Sequence, residues 1–151
     1  MLKSKACHAA ARRLGISKSR AEGLVARLSE AGLLPLTAGK ARQHLSHRQL
    51  GLLLIGIAAD RGLGAAPDTV REFMALEAGG LLLGDFLESL IGRGINPDGI
   101  VSLAIQLSPT PAVSVVTGAT RLQFGEPSPS SASGVVISGD TLRAIIEDFS
   151  A

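Results

Sequence analysis

The sequence predicts an α+β protein whose helices precede a small antiparallel β-meander and a C-terminal helix. Three observations support this fold class. Apolar residues at helical spacing flank Gly15, a nearly continuous apolar run covers residues 50–59, and an alternation of period two begins after Pro97. With 46% hydrophobic residues but only four Phe and no Tyr or Trp, the core must be aliphatic. We divide the chain into three parts: residues 1–45, a helical module; residues 46–95, a helical core; and residues 96–151, the meander with its helix.

Residues 7–28 predict two short helices joined by a tight turn. Ala10, Ala11 and Leu14 fall on one face of the first helix, and Gly15 can adopt the left-handed conformation that ends it. Ser17 is placed to cap the second helix. That helix carries a single apolar stripe, formed by Ala21, Leu24, Val25 and Leu28.

The next helix is predicted from His47 to Ala59. Ser46 and Gln49 have the spacing of a capping box at its start. Because this helix is apolar nearly all round, it must be covered on several sides, either within the chain or by a second copy.

Residues 61–68 form a turn-rich connector, after which Asp68 is expected to cap a helix that runs to about Ala78. Gly79 and Gly80 interrupt it, and residues 81–94 are predicted to form a further helix. A single helix kinked at the glycine pair is the alternative.

Four strands are predicted after Pro97, over residues 100–108, 112–116, 120–124 and 135–137. The first should turn four apolar side chains to one face: Val101, Leu103, Ile105 and Leu107. Asp140 is expected to cap a final helix over residues 141–149.

Charge is unevenly distributed along the chain, although the formal total is only +2. Up to Asp60 there are ten lysines and arginines against three acidic residues, whereas from Arg61 onward five arginines face ten acidic residues. We therefore expect a basic end suited to phosphates and an acidic end that a duplex would repel. The scarcity of aromatic rings argues against single-stranded or RNA partners and favours double-stranded DNA.

Residues 7–28 resemble the helix-turn-helix of bacterial and phage DNA-binding regulators. The resemblance lies in Ala11 four residues before Gly15, Ile16 directly after it, and a second helix started by Ser17. The residues EAGLL at 30–34 are similar to the exit of winged-helix regulators. An ordinary helical hairpin with a basic surface is the alternative.

The resemblance implies that the exposed start of the second helix touches base edges in the major groove. The residues at those positions are Ser17, Lys18, Ser19 and Arg20, with Gly23 and Arg27 further along the same outward side. The basic segment after residue 36 is interpreted as a loop or rudimentary wing. From it Lys40 and Arg42, with His44 and Arg48, are expected to reach the sugar-phosphate backbone, unless the segment is a solvated linker.

We expect no catalytic site, no cofactor and no metal. Cys7 is the single cysteine and is interpreted as a small, half-buried residue, and the glycine-rich turns match no phosphate-binding signature. His44 and His47 lack a third ligand nearby. Without a recognisable signal peptide, the protein is expected to be cytoplasmic.

The sequence therefore favours a sequence-specific double-stranded DNA-binding protein, a bacterial or phage transcription regulator acting as a homo-oligomer, with a dimer favoured. The apolar helix 47–59 and the residues after 96 are the candidates for holding copies together. A second hypothesis is a DNA-packaging subunit, because phage small terminase subunits have a similar element order. A third is a protein-binding adaptor with a basic N-terminal face.

Overall fold

The computed structural model describes residues 1–36 and 44–151. Within these ranges the α+β class is confirmed, with helices, antiparallel sheets and a C-terminal helix. The helices are α1 Lys3–Leu14, α2 Lys18–Glu30, α3 His47–Ala58, α4 Ala66–Met74, α5 Leu83–Ile91 and α6 Gly139–Ser150. The strands are β1 Glu77–Ala78, β2 Leu81–Leu82, β3 Ile100–Ser108, β4 Ala112–Thr117, β5 Arg121–Gly125 and β6 Ser133–Ser138.

The turn between α1 and α2 closes as the sequence predicts. Gly15 has a φ of 69° and its N–H points to the carbonyl of Arg12, while the N–H of Ile16 donates to the carbonyl of Ala11 at 2.9 Å. These two bonds make a Schellman motif, which satisfies carbonyls that a helix end leaves unpaired. Ser17 then caps α2, since its hydroxyl accepts from the backbone N–H of Arg20 at 3.2 Å.

Helix α3 forms the centre of the helical part. Its predicted capping box is present in both directions, with bonds of 2.9 and 3.1 Å between Ser46 and Gln49. Helices α1, α2, α4 and α5 all pack against it. Its apolar surface is therefore covered by its own chain, and α3 is not the surface that a second copy would use.

The region around Gly79 and Gly80 differs from both helical predictions. The two glycines have φ values of 58° and 86° and form the turn of a short hairpin, in which Glu77 pairs with Leu82. Positive φ at both central residues is the geometry of a hairpin turn, so the pair reverses the chain instead of kinking a helix. Asp68 lies within the first turn of α4 and does not cap it, because the helix starts three residues earlier than predicted.

The four longer strands form one antiparallel sheet in the order β5-β4-β3-β6. The predicted meander holds for β3, β4 and β5, but β6 returns to pair with β3, as in a Greek key. Leu103 and Ile105 are buried as expected, whereas Val101 is 58% exposed. The reason is a bulge in β3, where the register shifts between Ile100 and Ser102.

One hydrophobic core runs through all three parts into which the sequence was divided. Leu24, Leu53 and Leu103 belong to the same cluster of buried residues, and α6 packs against both β3 and α1. Among the residues that the structure describes, no helix combines the length and the apolarity needed to cross a bilayer.

Candidate nucleic-acid interface

The first turn of α2 projects into solvent. Ser17, Lys18 and Ser19 are all exposed, and the Lys18 side chain has a relative accessibility of 70%. Packing explains this, because the buried stripe of α2 begins only at Ala21. Three of the four residues at the start of α2 for which the resemblance implies base contact are thus exposed to solvent.

Acidic side chains share the exposed face of α2 with the cations. Glu22 lies 3.9 Å from the Lys18 Nζ and 2.8 Å from the His8 Nε2, and Arg27 pairs with Glu30 at 3.2 Å. The sequence interpretation counted these acids but did not place them beside the cations of α2, although the spacing of Lys18 and Glu22 by four residues could have shown that they are neighbours. The outer face of α2 is therefore mixed in charge and not uniformly basic.

Arg20 points to the end of α3, although its side chain keeps a relative accessibility of 40%. Its Nε and Nη2 donate to the two carboxylate oxygens of Asp60 at 2.8 and 2.9 Å. These hydrogen bonds lower the pKa of Asp60, against the opposing effect of burial, and a bond from the Gly62 N–H at 2.9 Å lowers it further. Arg20 thus ties the start of α2 to the α3–α4 connector.

The lowered pKa of Asp60 predicts how stability depends on pH. A carboxylate whose pKa is depressed by folding stabilises the protein above its unfolded value of about 3.8, and this contribution is lost as the pH falls through the folded value. Asp60→Asn should therefore be less stable than the parent protein at neutral pH, and the difference should shrink below pH 3.8. Denaturant unfolding over a pH series measures this.

Asp68→Asn is the matched control, since the Asp68 side chain is 91% exposed. It should change stability less than Asp60→Asn at neutral pH. A stability difference for Asp60→Asn that stays constant down to acid unfolding would contradict the assigned pairing.

Gly23 and Arg27 have different surroundings. A Cβ on Gly23 would lie 3.1 Å from the Leu63 Cδ2, which places Gly23 at a packed junction with the α3–α4 connector and not on the outward side. Arg27 is exposed, with its guanidinium beside Glu30. Of the two, only Arg27 is accessible to a large partner.

Arg48 joins α3 to α5. Its Nη1 lies 2.9 Å from Asp85 and 3.3 Å from Glu88, so the acidic residues of α5 hold the cation that was expected to reach a phosphate. His44 is exposed and forms an isolated antiparallel bridge with Leu2. Lys40 and Arg42, the remaining residues of the predicted wing, lie outside the described residues.

The fold brings N-terminal cations together with C-terminal acids. Arg13 donates to both carboxylate oxygens of Asp148 at 2.8 and 3.2 Å, and Arg12 lies 3.7 Å from the same residue. The Arg13 hydrogen bond is the main reason that the pKa of Asp148 is lowered. Together with the Arg48 pairs, these contacts make the folded surface less polarised than the sequence suggests.

Arg12 is a cation that the site prediction did not include. Its side chain is 70% exposed. It borders a shallow cleft beside the α1–α2 turn, lined by His8, Ala11, Arg12, Ile16 and Lys18. Arg12 and Lys18 therefore present two exposed positive charges on either side of the turn.

A larger cleft of about 670 Å³ lies between α1 and α2. Lys3 lies at one side, where its Nζ donates to the Ser29 Oγ at 3.0 Å and to the Pro35 carbonyl at 2.6 Å. Cys7 also lines this cleft, but burial, aided by Glu22, raises the pKa of its thiol to about 11. A thiol with that pKa stays protonated at neutral pH and is a poor nucleophile.

Comparisons with known proteins assign no family. No family model matches the chain, and no solved structure matches it. A segment of 73 residues is 34% identical to a phosphoglucosamine mutase from Mycolicibacterium gilvum (strain PYR-GCK). That segment is 48% of this chain, and it covers only 16% of the mutase, which is too little to carry over the fold or activity of the whole enzyme.

Proposed function

We propose that this chain binds double-stranded DNA through α1 and α2 and acts as a dimeric transcription regulator of bacterial or phage type. The observation that supports this most is the turn at Gly15, which leaves the first turn of α2 exposed while the rest of the helix is anchored on α3. An exposed, capped helix start supported from behind is what a recognition helix requires.

In the proposed complex the start of α2 enters the major groove. Ser17 and Ser19 offer short hydroxyls that can donate to or accept from base edges, and Lys18 can reach a guanine edge or a phosphate. Arg12, across the turn, is placed to hold the backbone at the groove margin. Arg20 acts indirectly in this scheme, because its pairing with Asp60 fixes the position of the α2 start.

A salt series tests the proposal. Arg12, Lys18 and Arg27 are exposed but lie beside acidic residues of the same chain, and if all three exchange these partners for phosphates, the slope of log affinity against log salt should be about −3 per subunit. Fluorescence anisotropy with a labelled duplex, titrated between about 50 and about 200 mM salt, measures this slope. Failure to bind any duplex at the lowest salt would reject DNA binding.

A protein-binding adaptor is the second candidate, and the acidic residues on α2 favour it. Glu22 and Glu30 bring the exposed face of α2 close to neutrality, which suits a mixed-charge protein partner better than a polyanion. The salt series separates the two candidates, since an adaptor would show no affinity for DNA. The DNA-packaging hypothesis instead requires a large ring, which mass measurement of the assembly would reveal.

We propose a binding role and not a catalytic one. The acidic residues around the proposed interface, Glu22, Asp60 and Asp148, lie beside cations of the same chain, which are Lys18, Arg20 and Arg13. They are thus held in surface ion pairs, whereas a general acid or base would need to face a substrate.

A further inference from the structure

The two edges of the four-stranded sheet are protected to different degrees. At one edge, β5 packs against β1, and Gly125 approaches Leu76 and the backbone of Pro111. At the other edge, the described elements that pack extensively against β6 are its sheet neighbour β3 and the following helix α6. Within the described ranges, β6 therefore has one strand partner and presents its other side outward.

Strand β6 also lacks charged residues and proline, two of the features that keep an edge strand from pairing, although its ladder with β3 has a register shift between Gln106 and Ser108. Its sequence, SGVVIS, has no charged residue and no proline. Val136 at its centre is 71% exposed, which makes it the most exposed of the large hydrophobic residues described. An uncharged apolar edge is a template for another strand, and proteins that avoid such pairing usually place lysine, proline or a bulge there.

We infer that β6 pairs antiparallel with β6 of a second copy, which would join the two sheets into one of eight strands. The sequence of β6 itself indicates that its partner is a second copy of the same strand. With a two-fold axis at Val136, the side chain of Val136 meets its own copy on one face, and on the other face Val135 lies beside the second copy's Ile137. Apolar residues thus meet apolar residues on both faces, and like charges are not brought together.

The pairing of β6 with its copy would be the contact that holds the proposed dimer together. The inference rests on the proposed function only in assuming that the protein is a dimer. We therefore place the dimer contact on β6 and not on α3, because the apolar sides of α3 are covered by other helices of the same chain. Because two six-residue strands make a small interface, we expect a reversible dimer whose population depends on protein concentration.

Charged variants at Val136 test the contact without disturbing the core. Val136→Lys should be monomeric where the parent protein is a dimer, with a dissociation constant raised at least about ten-fold by two apposed cations. Val136→Glu should behave in the same way. An equimolar mixture of the two variants should regain the dimer, because unlike charges then face each other across the axis.

Val101→Lys is the matched control, since Val101 is also an exposed valine but lies in β3. It should leave the dimer unchanged. Sedimentation equilibrium from about 1 to about 500 µM measures all four proteins, with circular dichroism to establish that each is folded. A parent protein that is monomeric throughout, a folded Val136→Lys that still dimerises, or a mixture that stays monomeric would each overturn the inference.

The same proteins separate this inference from DNA binding. If Val136→Lys is monomeric but retains weak affinity for a single half-site, both proposals stand. If the parent protein dimerises through β6 yet binds no duplex, the proposed function fails and the contact at β6 remains.

Discussion

Replacing Leu28 by alanine is expected to lower the free energy of unfolding by about 2–5 kcal/mol, the usual cost of emptying a leucine site in a packed core. Leu28 is fully buried, and its side chain packs against α3 at Gly56. The contact is possible because α3 has a glycine at position 56. A Cβ there would lie 2.5 Å from the Leu28 Cδ1.

A double-mutant cycle tests this fit. Gly56→Ala alone should cost about 1–3 kcal/mol, because the added methyl group overpacks the α2–α3 contact. In the Leu28→Ala background the same change should be neutral or stabilising, since the methyl group then enters the space that Leu28 vacated and alanine favours the helix by about 1 kcal/mol over glycine. Denaturant unfolding of the four proteins gives the coupling energy.

The control cycle combines Gly56→Ala with Leu142→Ala, which empties an equally buried site in α6. These two changes should add to within about 0.5 kcal/mol. If Gly56→Ala and Leu28→Ala were also additive, α3 would not support α2 in the way described.

Replacing Lys18 by alanine is expected to weaken DNA binding about 10- to 100-fold, the effect of losing one direct contact worth about 1–3 kcal/mol. The melting temperature should stay nearly unchanged because the side chain is 70% exposed. Anisotropy on a duplex selected from a random pool, and on an unrelated duplex, measures both affinity and specificity.

The two duplexes show which contact Lys18 makes. A loss on the selected duplex alone indicates a base edge, whereas a uniform loss with a salt slope that is smaller by about one indicates a phosphate. Arg121→Ala is the control, because Arg121 is exposed on β5, away from α2. Equal losses for Lys18→Ala and Arg121→Ala would show that charge alone, and not α2, governs binding.

Local features of the fold could be predicted from sequence because neighbouring residues decide them. Gly15, Ser17 and the Ser46–Gln49 pair each form hydrogen bonds within a few positions of themselves, so their spacing was sufficient. The glycines at 79 and 80 were harder to interpret. A glycine pair is compatible with a helix kink and with a hairpin turn. The strands of the hairpin are only two residues long, which is too short for an alternating pattern to reveal them.

Features that depend on distant residues could not be predicted in this way. Counting charges along the chain could not show that Arg13 meets Asp148, 135 positions later. The pairing of β6 with β3 could not be predicted either. The alternating pattern of a strand is the same whichever strand lies next to it, so the pattern does not identify the neighbour. The exposed start of α2 was anticipated, but the ion pair that joins Arg20 to Asp60 was not.

The most direct test of the central claim is the change in backbone amide resonances when a duplex is added to the isotope-labelled protein. If the start of α2 enters the groove, the largest shifts should fall on residues 15–20 and on Arg12, while the amides of β4 and β5 stay unchanged. Shifts confined to the sheet, with the amides of Ser17, Lys18 and Ser19 unaffected, would contradict the account.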